Sequence, residues 1–196
     1  MLVSVFFSSM KTSVFSTPLL TPAFKVLASL GLKLSGWKIV INEPLSPPYV
    51  IIAAPHSSNW DFLLMLATVF HLGMDIRWMG KHTLFPPFIA PISRWLGGIP
   101  INRNQAHNAV TQMVRKFDAE PNLAMLISPE GTRKNVPRWK TGFYHIARQA
   151  KVPIVMGAID AERKEVRFLG TYIPTDNTEN DLKRIQQYFN GFKGIR

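Results

Sequence analysis

The chain has no cysteine among its 196 residues, which excludes disulfides, thiolate metal ligands and a cysteine nucleophile. Its five histidines are scattered, and none sits in an HExxH pattern or beside clustered carboxylates, so neither a metal nor another cofactor is expected. No Gly-x-Ser-x-Gly sequence announces an acyl-enzyme serine. No window of about 18 uninterrupted apolar residues occurs, so a membrane-crossing helix is not expected. Internal repeats, low-complexity tracts and linkers long enough to separate domains are absent too. Acidic residues are scarce: 12 Asp and Glu face 23 Lys and Arg, a net charge of +11. Such a balance points to a polyanionic partner, whether nucleic acid, an anionic membrane surface or a phosphorylated substrate. No acid occurs between Asp75 and Asp118, where Arg77, Lys81, Arg94, Arg103, Arg115 and Lys116 lie, and none from Gly131 to Lys151, where six more cations lie. These stretches either converge on one phosphate-bearing pocket or are ordinary solvated helix faces.

What is present is enough for one substantial core: 46% of the residues are hydrophobic, and a chain of this length is by default one domain. Residues 1–36 are apolar but cut by Lys11, Pro18 and Pro22. No basic region precedes the first apolar segment, so a cleaved signal peptide is not expected, and Met10 is an alternative start to Met1. From Pro22 to Leu34 apolar positions interleave with Lys25 and Lys33. This predicts an amphipathic helix that either lies in a membrane interface or packs on the protein's own core. We therefore separate an interface segment, 1–36, from a main domain, 37–196.

The most informative stretch is IIAAPHSSNWDFLL, residues 51–64. Tyr49 to Ala54 is short, rich in β-branched residues and bounded by prolines, which predicts a buried strand. Ser57, Ser58 and Asn59 offer N-cap side chains to a helix beginning near Trp60. His56 then lies in the turn and Asp61 in the first helical turn. Five residues apart on a continuous helix they would point about 140° apart, but a strand-to-helix turn can fold His56 back over the helix start. A carboxylate accepting the Nδ1 proton leaves Nε2 free to take a proton from a hydroxyl, giving a general base and its orienting group. The plainer reading is that His56 caps the helix while Asp61 complements its positive end.

Further strands are predicted over residues 37–41, 76–79, 99–101, 123–127, 153–159 and 165–172, with helices over 105–117, 140–149 and 179–189. This alternation predicts an α/β domain with a mostly parallel or mixed central sheet flanked by helices. Between them, Leu84 to Leu96 is too apolar for a loop and is cut by Pro86, Pro87 and Pro91. It reads as an acyl groove or lipid contact, or as a kinked core helix. Arg103 follows a short strand, where its guanidinium can grip phosphate. After 123–127, Pro129 and Gly131 enforce a turn that is predicted to point Glu130 and then Arg133 out of the strand end, where open α/β sheets bind ligands. The alternative is a surface salt bridge of little worth. The helix starting at Lys140 adds dipole attraction for an anion.

The order PHSSNWD, GGIPINR, SPEGTR and KVPIV resembles the four blocks of the glycerolipid acyltransferase superfamily with its HxxxxD box, in particular the bacterial 1-acylglycerol-3-phosphate acyltransferase type. The blocks run from Pro55 to Val155. The resemblance implies that His56 is the general base and Asp61 its orienting carboxylate. The acceptor hydroxyl would then attack the thioester of acyl-CoA or acyl-carrier protein directly. It implies that Arg103, Glu130, Gly131, Thr132, Arg133 and Lys140 bind the phosphate and polar head of a lysophospholipid acceptor, and that Pro153 shapes the acyl-donor site. It also implies peripheral attachment to the cytoplasmic face of a membrane, and no nucleic acid. Pro55, Pro100, Asn102 and Ser128 stand where the family often has Asn, an aromatic, Asp and Phe; they remove no group the chemistry needs and leave the acceptor open among lysophosphatidate, other lyso-lipids and non-glycerol alcohols. The non-enzymatic alternative, a basic membrane- or nucleic-acid-binding protein, leaves His56, Asp61, Glu130 and Arg133 unexplained.

Overall fold

The structure is a computed structural model that describes residues 13–18, 20–102, 106–134 and 136–195. A 3-10 turn (Val14–Ser16) leads into α1 (Leu20–Ser35), β1 (Lys38–Ile41), β2 (Tyr49–Ala54), α2 (Trp60–Leu72) and β3 (Ile76–Lys81). After a second 3-10 turn come α3 (Ala90–Trp95), β4 (Gly98–Ile101), α4 (Ala106–Ala119), β5 (Ala124–Ile127), α5 (Gly142–Ala150), β6 (Ile154–Asp160), β7 (Glu165–Tyr172) and α6 (Thr178–Gln187). The predicted strands and helices are all found, with ends displaced by at most two residues. The strands form one sheet in the order β1-β7-β6-β2-β5-β3-β4. The five strands from β6 to β4 are parallel, β7 is antiparallel to β6, and β1 is parallel to β7. The sheet is therefore mixed, with a parallel block that runs from β6 to the β4 edge.

Parallel strands covered on both faces need apolar residues at successive positions, and β2, YVIIAA, has them. Val50, Ile52 and Ala54 pack with Met113 and Phe117 of α4, Phe143 and Ile146 of α5 and Ile185 of α6. Tyr49 and Ile51 point the other way, to Leu32 of α1 and Leu64 and Val69 of α2. The chain thus leaves β2 through α2 on one face and leaves its neighbour β5 through α5 on the opposite face. Connections that diverge in this way open a crevice at the carboxyl ends of the two strands.

Of the two readings of the amino-terminal helix, packing on the protein's own core is met by one face of α1, and the opposite face is apolar and exposed. Leu32 is buried in the core and Phe24 stacks on Phe70 with ring centroids 5.0 Å apart, whereas Val26, Leu27, Leu30 and Leu34 are exposed. Residues 1–12, including Met1, Met10 and Lys11, lie outside the described residues. The proline-cut segment divides similarly. Phe85 is buried beside Trp78, their rings stacked at 5.5 Å, while Leu84, Phe88, Ile89 and Ile92 face outward. Among the described residues no helix is long and apolar enough to cross a membrane.

Candidate active site

His56 follows the carboxyl end of β2 and Glu130 follows that of β5, and because these strands are neighbours the two loops meet at the crevice. The imidazole Nδ1 lies 2.9 Å from Asp61 Oδ2. The same oxygen accepts the backbone N–H groups of Ser57 at 2.7 Å and Ser58 at 2.9 Å. Asp61 is 4% exposed and the His56 side chain 26%, so the carboxylate is sealed beneath the loop and the imidazole reaches solvent. One Asp61 oxygen thereby accepts amides at the positive end of α2 and contacts the histidine ring. A carboxylate pinned by two peptide N–H groups fixes the Nδ1–H tautomer, which leaves the Nε2 lone pair to accept a proton. The expected serine and asparagine caps are replaced in part. Asn59 occupies the N-cap without a side-chain hydrogen bond, and Ser58 Oγ accepts only the Trp60 N–H, at 3.3 Å.

Glu130 departs from expectation. The turn forms, with Gly131 at φ 63°, a left-handed conformation in which glycine is unstrained, and with its N–H on the Ser128 carbonyl. The carboxylate, however, points inward instead of out of the strand end. It is 8% exposed, and Oε1 accepts the His56 backbone N–H at 2.9 Å. No ion pair joins it to Arg133 among the described residues. Glu130 is thus a positioning residue for the histidine loop, and substrate contact by its side chain does not follow from this geometry. Burial pushes its carboxyl above the ordinary glutamate range, against the lowering effects of the His56 N–H and imidazole.

This placement makes a prediction. Glu130→Gln retains an oxygen for the His56 N–H and lowers kcat by less than about tenfold, whereas Glu130→Ala strands a buried N–H and lowers it by about a hundredfold. Equal losses for both would mean that the charge matters rather than the hydrogen bond. Because the folded carboxyl titrates above its unfolded value, its favourable contribution is complete below the unfolded pKa and is lost as pH rises through the folded one. Glu130→Gln therefore gains stability relative to wild type toward neutral pH, measurable as a higher melting temperature.

The remaining predicted residues are distributed unevenly. Arg103 lies outside the described residues; the strand before it, β4, ends at Ile101 at the same edge of the sheet as β2 and β5. Arg133 and Lys140 are exposed and Thr132 is half-buried, its hydroxyl accepting the Lys134 N–H at 3.3 Å. The Lys140 N–H returns to the Pro129 carbonyl at 2.8 Å, so the basic loop is closed at its base beside Glu130. Pro153 is not brought to His56. It precedes β6 at the opposite edge, with its carbonyl accepting the Val50 N–H at 2.9 Å, and six residues of strand put it about 20 Å from His56. Among the described residues no group of three or more side chains is arranged to ligate a metal. A contact the sequence does not announce is made by Ser57, whose hydroxyl donates to the Ile195 carbonyl at 2.7 Å.

Comparison with known proteins adds a decisive observation. A family model described as Acyltransferase matches residues 38–159, well over half of the chain. The chain belongs to the acyltransferase family. The match runs from the start of β1 to Ile159 in β6 and takes in His56, Asp61, Glu130, Arg133 and Pro153. The chain is 27% identical over 125 residues to the Saccharomyces cerevisiae 1-acyl-sn-glycerol-3-phosphate acyltransferase, covering 60% of this chain and 41% of that protein. It is 31% identical over 118 residues to the human 1-acyl-sn-glycerol-3-phosphate acyltransferase alpha, covering 57% and 40%. It therefore spans about two fifths of the length of these curated relatives. The crystal structure of the Thermotoga maritima 1-acyl-sn-glycerophosphate (LPA) acyltransferase PlsC superposes with a TM-score of 0.59 over 86% of this chain and 76% of that one. At 14% identity this likeness concerns the acyltransferase fold, the mixed sheet with its helical layers.

Proposed function

We propose that the protein transfers a fatty acyl group from acyl-CoA or acyl-carrier protein to the free hydroxyl of a lysophospholipid, with 1-acylglycerol-3-phosphate as the acceptor and phosphatidate as the product. The observation that carries this reading is the His56 Nδ1 to Asp61 Oδ2 contact of 2.9 Å at the mouth of the β2–β5 crevice. Nε2 removes the acceptor's hydroxyl proton as the oxygen attacks the thioester carbonyl. Collapse of the tetrahedral adduct breaks the C–S bond, and the proton passes from the imidazolium to the departing thiolate. The acyl group moves in one transfer, and holding both substrates together supplies much of the acceleration.

The acceptor phosphate has cations to meet in the acid-free loop after Glu130, where Arg133, Lys134 and Lys140 are exposed. Lipid contact is supported by outward-facing Trp60 and Leu63 at the start of α2, by Leu84 and Phe88 beyond β3, and by the apolar face of α1. We assign the protein on this basis to the anionic cytoplasmic face of a membrane, held peripherally.

The test is acyl transfer from labelled acyl-CoA and acyl-carrier protein to a panel of lyso-lipids and alcohols. Lysophosphatidate is expected as the preferred acceptor, and Arg133→Ala raises its KM about tenfold with kcat little changed, the signature of a lost phosphate contact. Transfer confined to other acceptors would replace the substrate, and no transfer to any acceptor would reject the activity.

A further inference from the structure

Beyond α6 the chain turns back and crosses the carboxyl edge of the sheet. Phe192 packs with the core layer of α4 and α5, and Ile195 with that of α1 and α2, so the tail passes from one face to the other directly over the strand ends. Three contacts hold it there. The Lys193 carbonyl accepts the Ala161 N–H at 2.7 Å, just past the end of β6; the Lys193 ammonium pairs with Glu162 at 2.6 Å; and the Ile195 carbonyl accepts the Ser57 hydroxyl at 2.7 Å. Gly194 lies so close to the loop that a Cβ there would sit 2.2 Å from Ser57 Oγ and 3.3 Å from Pro55 Cγ.

We infer that residues 191–195 form a strap that positions the catalytic loop through Ser57. Ser57 is the link because its hydroxyl and its N–H face different ways. Its hydroxyl is tied to the strap, and its N–H donates at 2.7 Å to the Asp61 oxygen that holds His56 Nδ1. Shifting the strap rotates the Ser57 peptide and loosens that N–H bond, one of the two that hold the Asp61 oxygen against the imidazole. The Glu130 carboxylate fixes His56 from the β5 side, and the strap fixes the next residue from the β6 side, so the loop is held from both neighbouring strands. The strap makes no contact with substrate in this account; it acts on the geometry of the base, and so on kcat rather than on binding. Errors of about 1 Å in such geometry cost up to about a hundredfold in rate.

This inference rests on the acyl-transfer reading, and one of its two readouts is independent of turnover. The variants are a chain ending at Lys193, Ser57→Ala, and the two combined. The expected result is a ten- to hundredfold fall in kcat for each single variant, unchanged KM for both substrates, and a combined variant no slower than the slower single one. Multiplying effects, or wild-type kcat in the shortened chain, would overturn the strap. So would a lowered melting temperature with unchanged activity per folded molecule. The independent readout is the downfield NMR resonance of the His56 Nδ1 proton on Asp61, which should broaden or vanish in the shortened chain; its persistence unchanged overturns the strap even where wild type shows no acyl transfer. Should the shortened chain fail to fold, Gly194→Ala in the wild-type and Ser57→Ala backgrounds replaces it. Loss in the first, relieved in part in the second where Oγ is gone, is expected; equal loss in both rejects coupling through Ser57.

Discussion

His56→Ala lowers acyl transfer by about 10²–10⁴-fold while the protein stays folded. Among the described residues the imidazole makes one hydrogen bond, to Asp61, and it is partly open to solvent. Its removal deletes Nε2, the nitrogen placed to take the proton of the acceptor hydroxyl, and leaves both core layers untouched. The loop itself remains tied by backbone groups, because the N–H of residue 56 donates to Glu130 and those of Ser57 and Ser58 donate to Asp61 whatever side chain stands at 56. The melting temperature should consequently move by only a few degrees. KM for the acceptor should hold as well, since the proposed phosphate contacts lie in the loop after β5. Near wild-type kcat in this variant would remove the general base from the account.

Asp61→Asn is the second large effect, and it separates orientation from packing. The asparagine oxygen can still accept the Ser57 and Ser58 N–H groups, which keeps the start of α2 capped. It supplies no charge to stabilise the imidazolium, and its amide nitrogen opposes the Nδ1 proton in the alternative rotamer. We expect a fall in kcat on the order of 10²-fold or more with a small loss of stability. Asp61→Ala removes the acceptor altogether and strands two buried N–H groups, so it should cost about 1–3 kcal/mol of stability besides. Thermal melting and steady-state kinetics on the pair of variants distinguish the two contributions. If asparagine preserved kcat, Asp61 would be a helix cap alone.

How much of this arrangement could be read in the chain depends on the range of the interaction. The approach of His56 to Asp61 is local: a proline-bounded apolar strand, three small polar residues and an apolar helix leave little choice about where the loop must fold. Element boundaries follow from hydrophobic periodicity for the same reason. The inward course of Glu130 is not local. A Pro-Glu-Gly turn at a strand end exposes its acid unless the adjacent strand presents an N–H to receive it, and the neighbour here is β2, some 75 residues earlier in the chain. Strand order is set by how α2 and α5 divide between the faces, which no single segment encodes. Pro153 shows the converse. The family pattern associates it with the acyl-donor site, and because β6 runs toward the active edge the residue before it lies at the far one, about six strand residues from His56. The strap over Ser57 depends on a hydroxyl and a main-chain carbonyl separated by 138 residues, and neither residue type signals it. The apolar positions of α1 are legible as one side of an amphipathic helix, and those of the Leu84 to Leu96 segment as a groove, a lipid contact or a kinked core helix. Which side meets the core became clear only from the packing of Phe24, Leu32 and Phe85.

The central claim is that His56 drives a direct transfer of the acyl group to a bound hydroxyl, and a single-turnover experiment tests it most directly. Excess protein is mixed with labelled acyl donor, held without acceptor, and then given 1-acylglycerol-3-phosphate. The account predicts that label stays on the donor until the acceptor arrives and then appears in phosphatidate in one phase, with no transfer by His56→Ala. Label bound covalently to the protein before acceptor is added, or phosphatidate formed equally fast by the alanine variant, would contradict it.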